Sequence, residues 1–170
     1  MKLTLEKLNE LCKLGLFERY AIGGGIAHFY YIEAGTTYDL DVLVIMKTDQ
    51  TSLISLTPLY DWARNEGYEV IEEHIVIEGV PVQFLPVFND LITEAVEHAQ
   101  EVKLFGVQTF IIKAEYLMAI MLDTYRAKDK ERLLRFTSES SYSSELFESI
   151  LIKFNLVKKY KIFKNQYEQN

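Results

Sequence analysis

Residues 20–46 read YAIGGGIAHFYYIEAGTTYDLDVLVIM, and this stretch decides the fold because it joins a glycine-rich turn to an apolar strand that carries aspartates. It starts with a short apolar strand over 20–22, which runs directly into consecutive glycines. A helix is predicted over 24–32 and a buried strand over 39–46. The stretch therefore predicts a strand–turn–helix–strand unit.

The glycine turn has the chemistry of a phosphate site. Glycines between a strand and a helix let the backbone turn tightly and come close to a ligand. The helix start behind them presents free N–H groups and the positive end of a dipole, which suit phosphate. A purely structural turn is the alternative. The sequence is neither a P-loop, since no Gly-Lys-Ser/Thr follows, nor a G-x-G-x-x-G dinucleotide fingerprint.

The aspartates Asp39 and Asp41 form the second polar feature. Side chains two residues apart on a strand point to the same face, so we expect these two carboxylates to lie side by side. One interpretation is a solvated strand end. Both residues lie within an apolar run, however, where an unpaired carboxylate is costly. Mg²⁺ prefers carboxylate oxygens, and the pair therefore predicts a Mg²⁺ site with Asp39 and Asp41 as ligands.

Composition indicates one globular domain. The chain has 170 residues, 49% of them hydrophobic and 25% charged. Its net charge of −7 argues against a broad nucleic-acid-binding surface. The single Cys12 excludes an internal disulfide and a cysteine-based zinc site. The charged N-terminus is no signal peptide, and no apolar run has the length of a membrane span, so we expect a cytoplasmic protein with no membrane partner.

The rest of the chain predicts an α+β domain. Its apolar pattern indicates one sheet of about five strands, with the aspartate pair near the centre. Further helices are predicted over 4–14, 52–66, 90–98, 114–124, 128–137 and 145–161, with a serine-rich linker over 139–144. Further strands are predicted over 69–71, 74–77, 80–85, 102–105 and 107–111.

The order of a Gly-Gly turn, a helix and an Asp-x-Asp strand resembles the nucleotidyltransferase fold of the DNA polymerase β superfamily. Within that superfamily the chain resembles the minimal bacterial nucleotidyltransferases of the AbiEii/AbiGii toxin type. The resemblance implies a single nucleotidyltransferase-like domain over 1–170, with a core over about 16–112 and C-terminal helices over about 113–165. The matching segments are AIGGGIAHFYYIE, TYDLDVLV, GVPVQFLP, EYLMAIMLDTYRAKDKERL and LFESILIKFNLVKKY.

The resemblance also implies roles for individual residues. In that superfamily the turn glycines hold the phosphates of the nucleotide, which assigns Gly23 and Gly24 to nucleotide binding. The two aspartates bind Mg²⁺ and are catalytic, which assigns these roles to Asp39 and Asp41. Thr37 either bonds to phosphate or orders the turn.

Two positions depart from the pattern of the family. Its members commonly place a third carboxylate, the general base, on a later strand. The corresponding position holds Gln83, which can contact a nucleotide but cannot take a proton at neutral pH. Toxin-type members carry a lysine where this chain has Met121, and Lys128 is then the catalytic candidate that would reach phosphate. The alternative for Lys128 is a solvated, salt-bridged helix start.

Two functional hypotheses follow. The first is a Mg²⁺-dependent nucleotidyltransferase that binds an NTP and transfers the NMP group to an RNA, a protein or a small molecule. The second is a degenerate, non-catalytic fold that binds a nucleotide or a partner, such as the antitoxin of a toxin–antitoxin pair. A carboxylate from Glu72, Glu73 or Glu78 within about 5 Å of the aspartates would favour catalysis. A facing Gln83 alone would favour the binding module. A purely structural domain conflicts with the aspartate pair.

Overall fold

The structure is a computed structural model, and it describes residues 1–32, 37–47 and 55–167. Within these ranges the helices are α1 (Lys2–Leu14), α2 (Gly24–Tyr31), α3 (Thr57–Asn65), α4 (Asp90–Glu97), α5 (Ala114–Thr124), α6 (Ala127–Glu139), α7 (Ser144–Lys153) and α8 (Val157–Tyr167). The strands are β1 (Arg19–Ile22), β2 (Leu40–Ile45), β3 (Glu69–Ile71), β4 (His74–Ile77), β5 (Val80–Pro86), β6 (Gln100–Leu104) and β7 (Val107–Ile111).

All the described strands belong to one mixed sheet of order β3-β4-β5-β2-β1-β7-β6. The central strand β2 runs antiparallel to β1 and parallel to β5. The prediction of a single sheet with the aspartate strand at its centre is confirmed. Among the described residues the sheet has seven strands and not about five, because the β3–β4 and β6–β7 hairpins extend its two edges.

The turn between β4 and β5 shows how local sequence sets the topology. Glu78 and Gly79 both have positive φ, 52° and 78°. Two such residues in a two-residue loop match the twist of a hairpin, and glycine adopts this conformation without strain. The predicted strands over 74–77 and 80–85 thus form a hairpin, and this turn fixes the register of β4 on β5.

The two faces of the sheet differ in burial. On β2 the side chains of Leu40, Val42 and Val44 are fully buried, whereas Asp41 between them is only half-buried. The strands β5 and β4 show the same alternation, with Gln83 and His74 on the less buried side. We call the side of β2, β5 and β4 that carries Asp41, Gln83 and His74 the open face.

Three predicted elements have bounds that differ from those in the structure. The strand predicted from residue 39 begins at Leu40, so Asp39 lies in the bend before β2. The helix predicted over 145–161 is wrong, because α7 and α8 are separate helices with Asn155 at φ 58° between them. Part of the helix predicted over 52–66 lies outside the described residues, and α3 begins at Thr57 with a proline in its first turn.

None of the helices in the described part of the chain is long and apolar enough to cross a membrane.

Candidate active site

The glycine turn is built against the Asp41 carboxylate. β1 ends at Ile22, and the backbone N–H of Gly23 donates to the Asp41 carbonyl oxygen at 2.9 Å. Gly24 has φ 53°, and a β-carbon there would lie 1.6 Å from Asp41 Oδ2. Only glycine fits at position 24, since a side chain would be both strained and displaced by the carboxylate.

The surroundings of the Asp41 carboxylate disfavour its ionised form. Burial raises the pKa of its carboxyl group, and the neighbouring charge of Asp39 raises it further. A hydrogen bond from the backbone N–H of Gly25 acts in the opposite direction. The two aspartates therefore repel each other, and burial together with this repulsion outweighs the influences that lower the pKa of Asp41.

Thr37 holds the segment before β2 in place. Its hydroxyl donates to the Asp39 carboxylate. A β-carbon at Gly25 would lie 2.9 Å from Thr37 Oγ1, so the threonine packs directly under the start of α2. These contacts support the turn-ordering role of Thr37; a phosphate contact stays a prediction.

Helix α6 brings positive charge to the site. Against the burial that raises the pKa of Asp41, the charges of Lys128 and Arg132 lower it. The two residues are four apart and share one helix face, and this face of α6 lies within electrostatic range of the Asp41 carboxylate. Sequence reasoning proposed Lys128 and missed Arg132, although the i,i+4 spacing on a predicted helix was a usable signal.

Arg126 and Asp129 form a helix cap. Asp129 is 2% exposed and accepts hydrogen bonds from the Arg126 backbone N–H at 3.2 Å and from Arg126 Nε at 2.7 Å. The Thr124 hydroxyl donates to the same carboxylate at 2.8 Å. These donors together satisfy the hydrogen-bonding capacity of the buried Asp129 carboxylate. Met121, where a lysine was expected, is buried in α5 as a core residue.

Gln83 occupies the position next to Asp41. The two residues are register partners on the parallel strands β2 and β5. Gln83 Nε2 donates to Glu73 Oε1 at 3.3 Å, which places the Glu73 carboxylate against Gln83. Glu78 accepts from the Tyr68 hydroxyl at 2.9 Å at the other end of the hairpin. Gln83 is thus the residue that directly flanks Asp41 on β5.

The donor set fits a magnesium ion. Asp39 and Asp41 offer paired carboxylate oxygens, the hard donors that Mg²⁺ prefers, and the ion would relieve their mutual repulsion. Mg²⁺ commonly takes one or two protein carboxylates and completes its shell with water and substrate phosphates. Within the described ranges, no group of three or more His, Cys, Asp or Glu side chains could hold a metal.

Comparison with known proteins supports the fold. No protein-family model matches the chain, and no curated protein matches its sequence. One similar solved structure is that of the antibiotic-resistance factor ANT(2'')-Ia, with 16% identity over 99% of this chain and 98% of that chain and a TM-score of 0.52. Another is an antigenic nucleotidyltransferase-like protein from Paracoccidioides brasiliensis, with 15% identity over 98% and 91% of the two chains and a TM-score of 0.52.

The chain thus has a nucleotidyltransferase-like fold, and the α+β class predicted from the sequence is confirmed. At these identities the likeness concerns the fold alone. The finer resemblance to the AbiEii/AbiGii type stays a prediction.

Proposed function

We propose that the chain is a metal-dependent nucleotidyltransferase that binds an NTP with Mg²⁺ and transfers its NMP group to an acceptor. The observation that supports this most is the convergence of three features at one place. The glycine turn at Gly24, the aspartates at positions 39 and 41, and the cationic face of α6 all meet around the Asp41 carboxylate. Each feature matches a different part of a metal-bound triphosphate.

Different residues would bind different parts of the metal-bound nucleotide. Asp39 and Asp41 would hold Mg²⁺, which when bound neutralises phosphate charge and makes pyrophosphate a better leaving group. The N-terminus of α2, at Gly23 and Gly24, offers backbone N–H groups to phosphate oxygens. Lys128, together with Arg132, offers positive charge to the phosphates from α6.

The reaction is a substitution at the α-phosphorus. An acceptor oxygen forms a bond to that phosphorus, the bond to the bridging oxygen of the β-phosphate breaks, and pyrophosphate leaves with the electron pair. The protein contributes by holding donor and acceptor in line and by stabilising the developing charge. The candidate acceptors are RNA, a protein or a small molecule. We expect the nucleotidyltransferase itself to be cytoplasmic.

A second candidate is a non-catalytic module of the same fold. Gln83 beside Asp41 favours it, because a glutamine stands where a proton-accepting carboxylate is expected. Such a module would bind a nucleotide or a protein partner, and membership of a toxin–antitoxin pair with an antitoxin partner belongs to this proposal.

Labelled nucleotides distinguish the two candidates. The protein is incubated with each α-labelled NTP, Mg²⁺ and a cell extract that supplies acceptors. Transfer predicts a labelled product that depends on Mg²⁺ and is absent with Asp41→Asn. The catalytic proposal is wrong if an NTP binds but no label is transferred and no pyrophosphate is released.

A further inference from the structure

A row of polar side chains crosses the open face. Asp41 on β2 is the register partner of Gln83 on β5, and Gln83 is in turn the register partner of His74 on β4. Residues that are directly paired on neighbouring strands point to the same face of a sheet. The burial pattern agrees, because Ile75 and Ile77 on β4 are buried while His74 is half-buried.

The spacing of this row leaves room for a substrate group. Neighbouring strands lie about 4.8 Å apart, so the backbones at Asp41 and His74 are separated by about 10 Å, with Gln83 between them. The Gln83 amide donates to Glu73. Its carbonyl oxygen can still accept a hydrogen bond from a substrate group.

The chemistry of transfer to a hydroxyl requires a proton acceptor near this row. The acceptor oxygen must lose its proton as it bonds to phosphorus, and an amide side chain cannot take it. A neutral imidazole accepts protons at physiological pH, which makes histidine the commonest general base. In the row, His74 is the side chain with this capacity that the metal-binding pair does not already use.

We propose that His74 is the general base for a hydroxyl acceptor, an inference that rests on the proposed nucleotidyltransferase function. The acceptor O–H donates to the imidazole across Gln83. As the oxygen bonds to the α-phosphorus, its proton passes to the ring nitrogen, and the pyrophosphate oxygen leaves with the electrons of the broken P–O bond. The acceptor is then an alcohol or ribose hydroxyl, since an acceptor phosphate is already ionised and needs no base.

The charged side chains near His74 include a competing candidate for the general base. The strand β3 places Ile71 opposite His74, and the β3–β4 turn contributes the carboxylates of Glu72 and Glu73. From β5 the neutral Gln83 faces it, and from β2 the row ends at Asp41. Glu73 is the competing base, because it contacts Gln83 from the turn.

Binding is tested by NMR of the imidazole rings in the full chain, with Mg²⁺ and the α,β-methylene analogues of the four NTPs, which cannot be cleaved at the α-phosphorus. We expect the His74 ring signals, assigned with His74→Gln, to shift on analogue binding. The signals of His98, whose ring lies against Tyr116 on α5, should not move. Calorimetric binding of an analogue without a shift at His74 would overturn the inference, whereas failure of every analogue to bind would overturn the proposed function itself.

Catalysis is tested by the pH dependence of transfer with the acceptor found in the labelled-nucleotide assay. We expect the wild-type rate to rise with pH, because the base accepts a proton only in its unprotonated form. His74→Gln should lower kcat by about 100-fold or more, abolish that rise and leave the KM for NTP within about threefold. Glu73→Gln should retain the rise, and His98→Gln should match the wild type. Retention of the rise in His74→Gln, or its loss in Glu73→Gln, would contradict the assignment.

Discussion

The Asp41 carboxylate fills the space that a side chain at Gly24 would need, because a β-carbon at position 24 would lie 1.6 Å from Asp41 Oδ2. Gly24 also has φ 53°, a conformation that favours glycine. The phosphate-binding turn and the metal-binding strand of the proposed site are therefore one structural unit. A substitution in either the turn or the strand should therefore disturb the structure of the other.

Gly24→Ala tests this relationship. We expect the free energy of unfolding, measured by urea denaturation, to fall by about 2–4 kcal/mol, because the alanine is strained and displaces the carboxylate. Gly79→Ala is the matched control, since Gly79 also has positive φ but a β-carbon there would meet nothing within 4 Å. It should cost only about 1–2 kcal/mol of backbone strain. Equal losses in the two variants would show that Gly24 and Asp41 are not in steric conflict.

Asp41→Asn should stabilise the protein when no divalent metal is present. Burial and the charge of Asp39 raise the pKa of Asp41, so its ionised form is disfavoured in the fold. The isosteric amide removes the repulsion and can still accept from the Gly25 backbone. We expect a gain of about 0.5–1 kcal/mol in thermal unfolding with EDTA, together with lost function. A lower melting temperature than that of the wild type would contradict this account of the pair.

Asp129→Asn should have the opposite sign. Burial alone would raise the pKa of Asp129, but hydrogen bonds from Arg126 and Thr124 outweigh it and hold the pKa low. Loss of the buried, charge-assisted bonds should cost about 2–3 kcal/mol in urea denaturation at neutral pH. The control is Asp61→Asn, in which an exposed carboxylate pairs with Arg64 and the cost should stay below about 1 kcal/mol. Similar small effects in both variants would mean that the α6 cap contributes little.

His28 should make stability depend on pH. It is 3% exposed, its Nδ1 has no hydrogen-bond partner among the described residues, and burial lowers its pKa from 6.5 to about 4, with help from Arg132 and Arg135. The folded state therefore binds its proton less readily than the unfolded state. This contribution is fully present above pH 6.5 and is lost as the pH falls towards 4, by up to roughly 3 kcal/mol.

Urea denaturation between pH 7 and pH 4 measures this effect when the wild type is compared with His28→Leu. Other groups also titrate in this range, so the difference between the two proteins isolates the His28 contribution. The wild type should lose more stability than His28→Leu as the pH falls. The exposed His98, replaced in His98→Gln, should leave the wild-type slope in place. Parallel slopes for the wild type and His28→Leu would refute the assignment.

Local patterns predicted the fold well because strong signals lie close together in the chain. The glycine turn, the apolar β2 strand and the Glu78-Gly79 hairpin each depend on residues within a few positions. The break between α7 and α8 was missed, because the apolar residues continue through it and Asn155 is a weaker stop signal than glycine. The strand count was too low because edge pairing is a long-range property.

The site was only partly predictable, because some of its residues come together only through helix packing and strand pairing. Asp39 and Asp41 are only two residues apart in sequence, so a local pattern was enough to predict that they lie close together. Arg132 and His74 lie far from them along the chain, and their proximity depends on how α6 packs and how β4 pairs with β5. No local sequence pattern connects His74 to the aspartates.

Isothermal titration calorimetry with each NTP, with and without Mg²⁺, tests the central claim most directly. The comparison needs the wild type, the double variant Asp39→Asn/Asp41→Asn, and Asp61→Asn as a carboxylate-to-amide control outside the site. The account predicts one-to-one, Mg²⁺-dependent binding that Asp61→Asn keeps and the folded double variant loses. Absence of NTP binding by the wild type, or unchanged binding by the double variant, would contradict it.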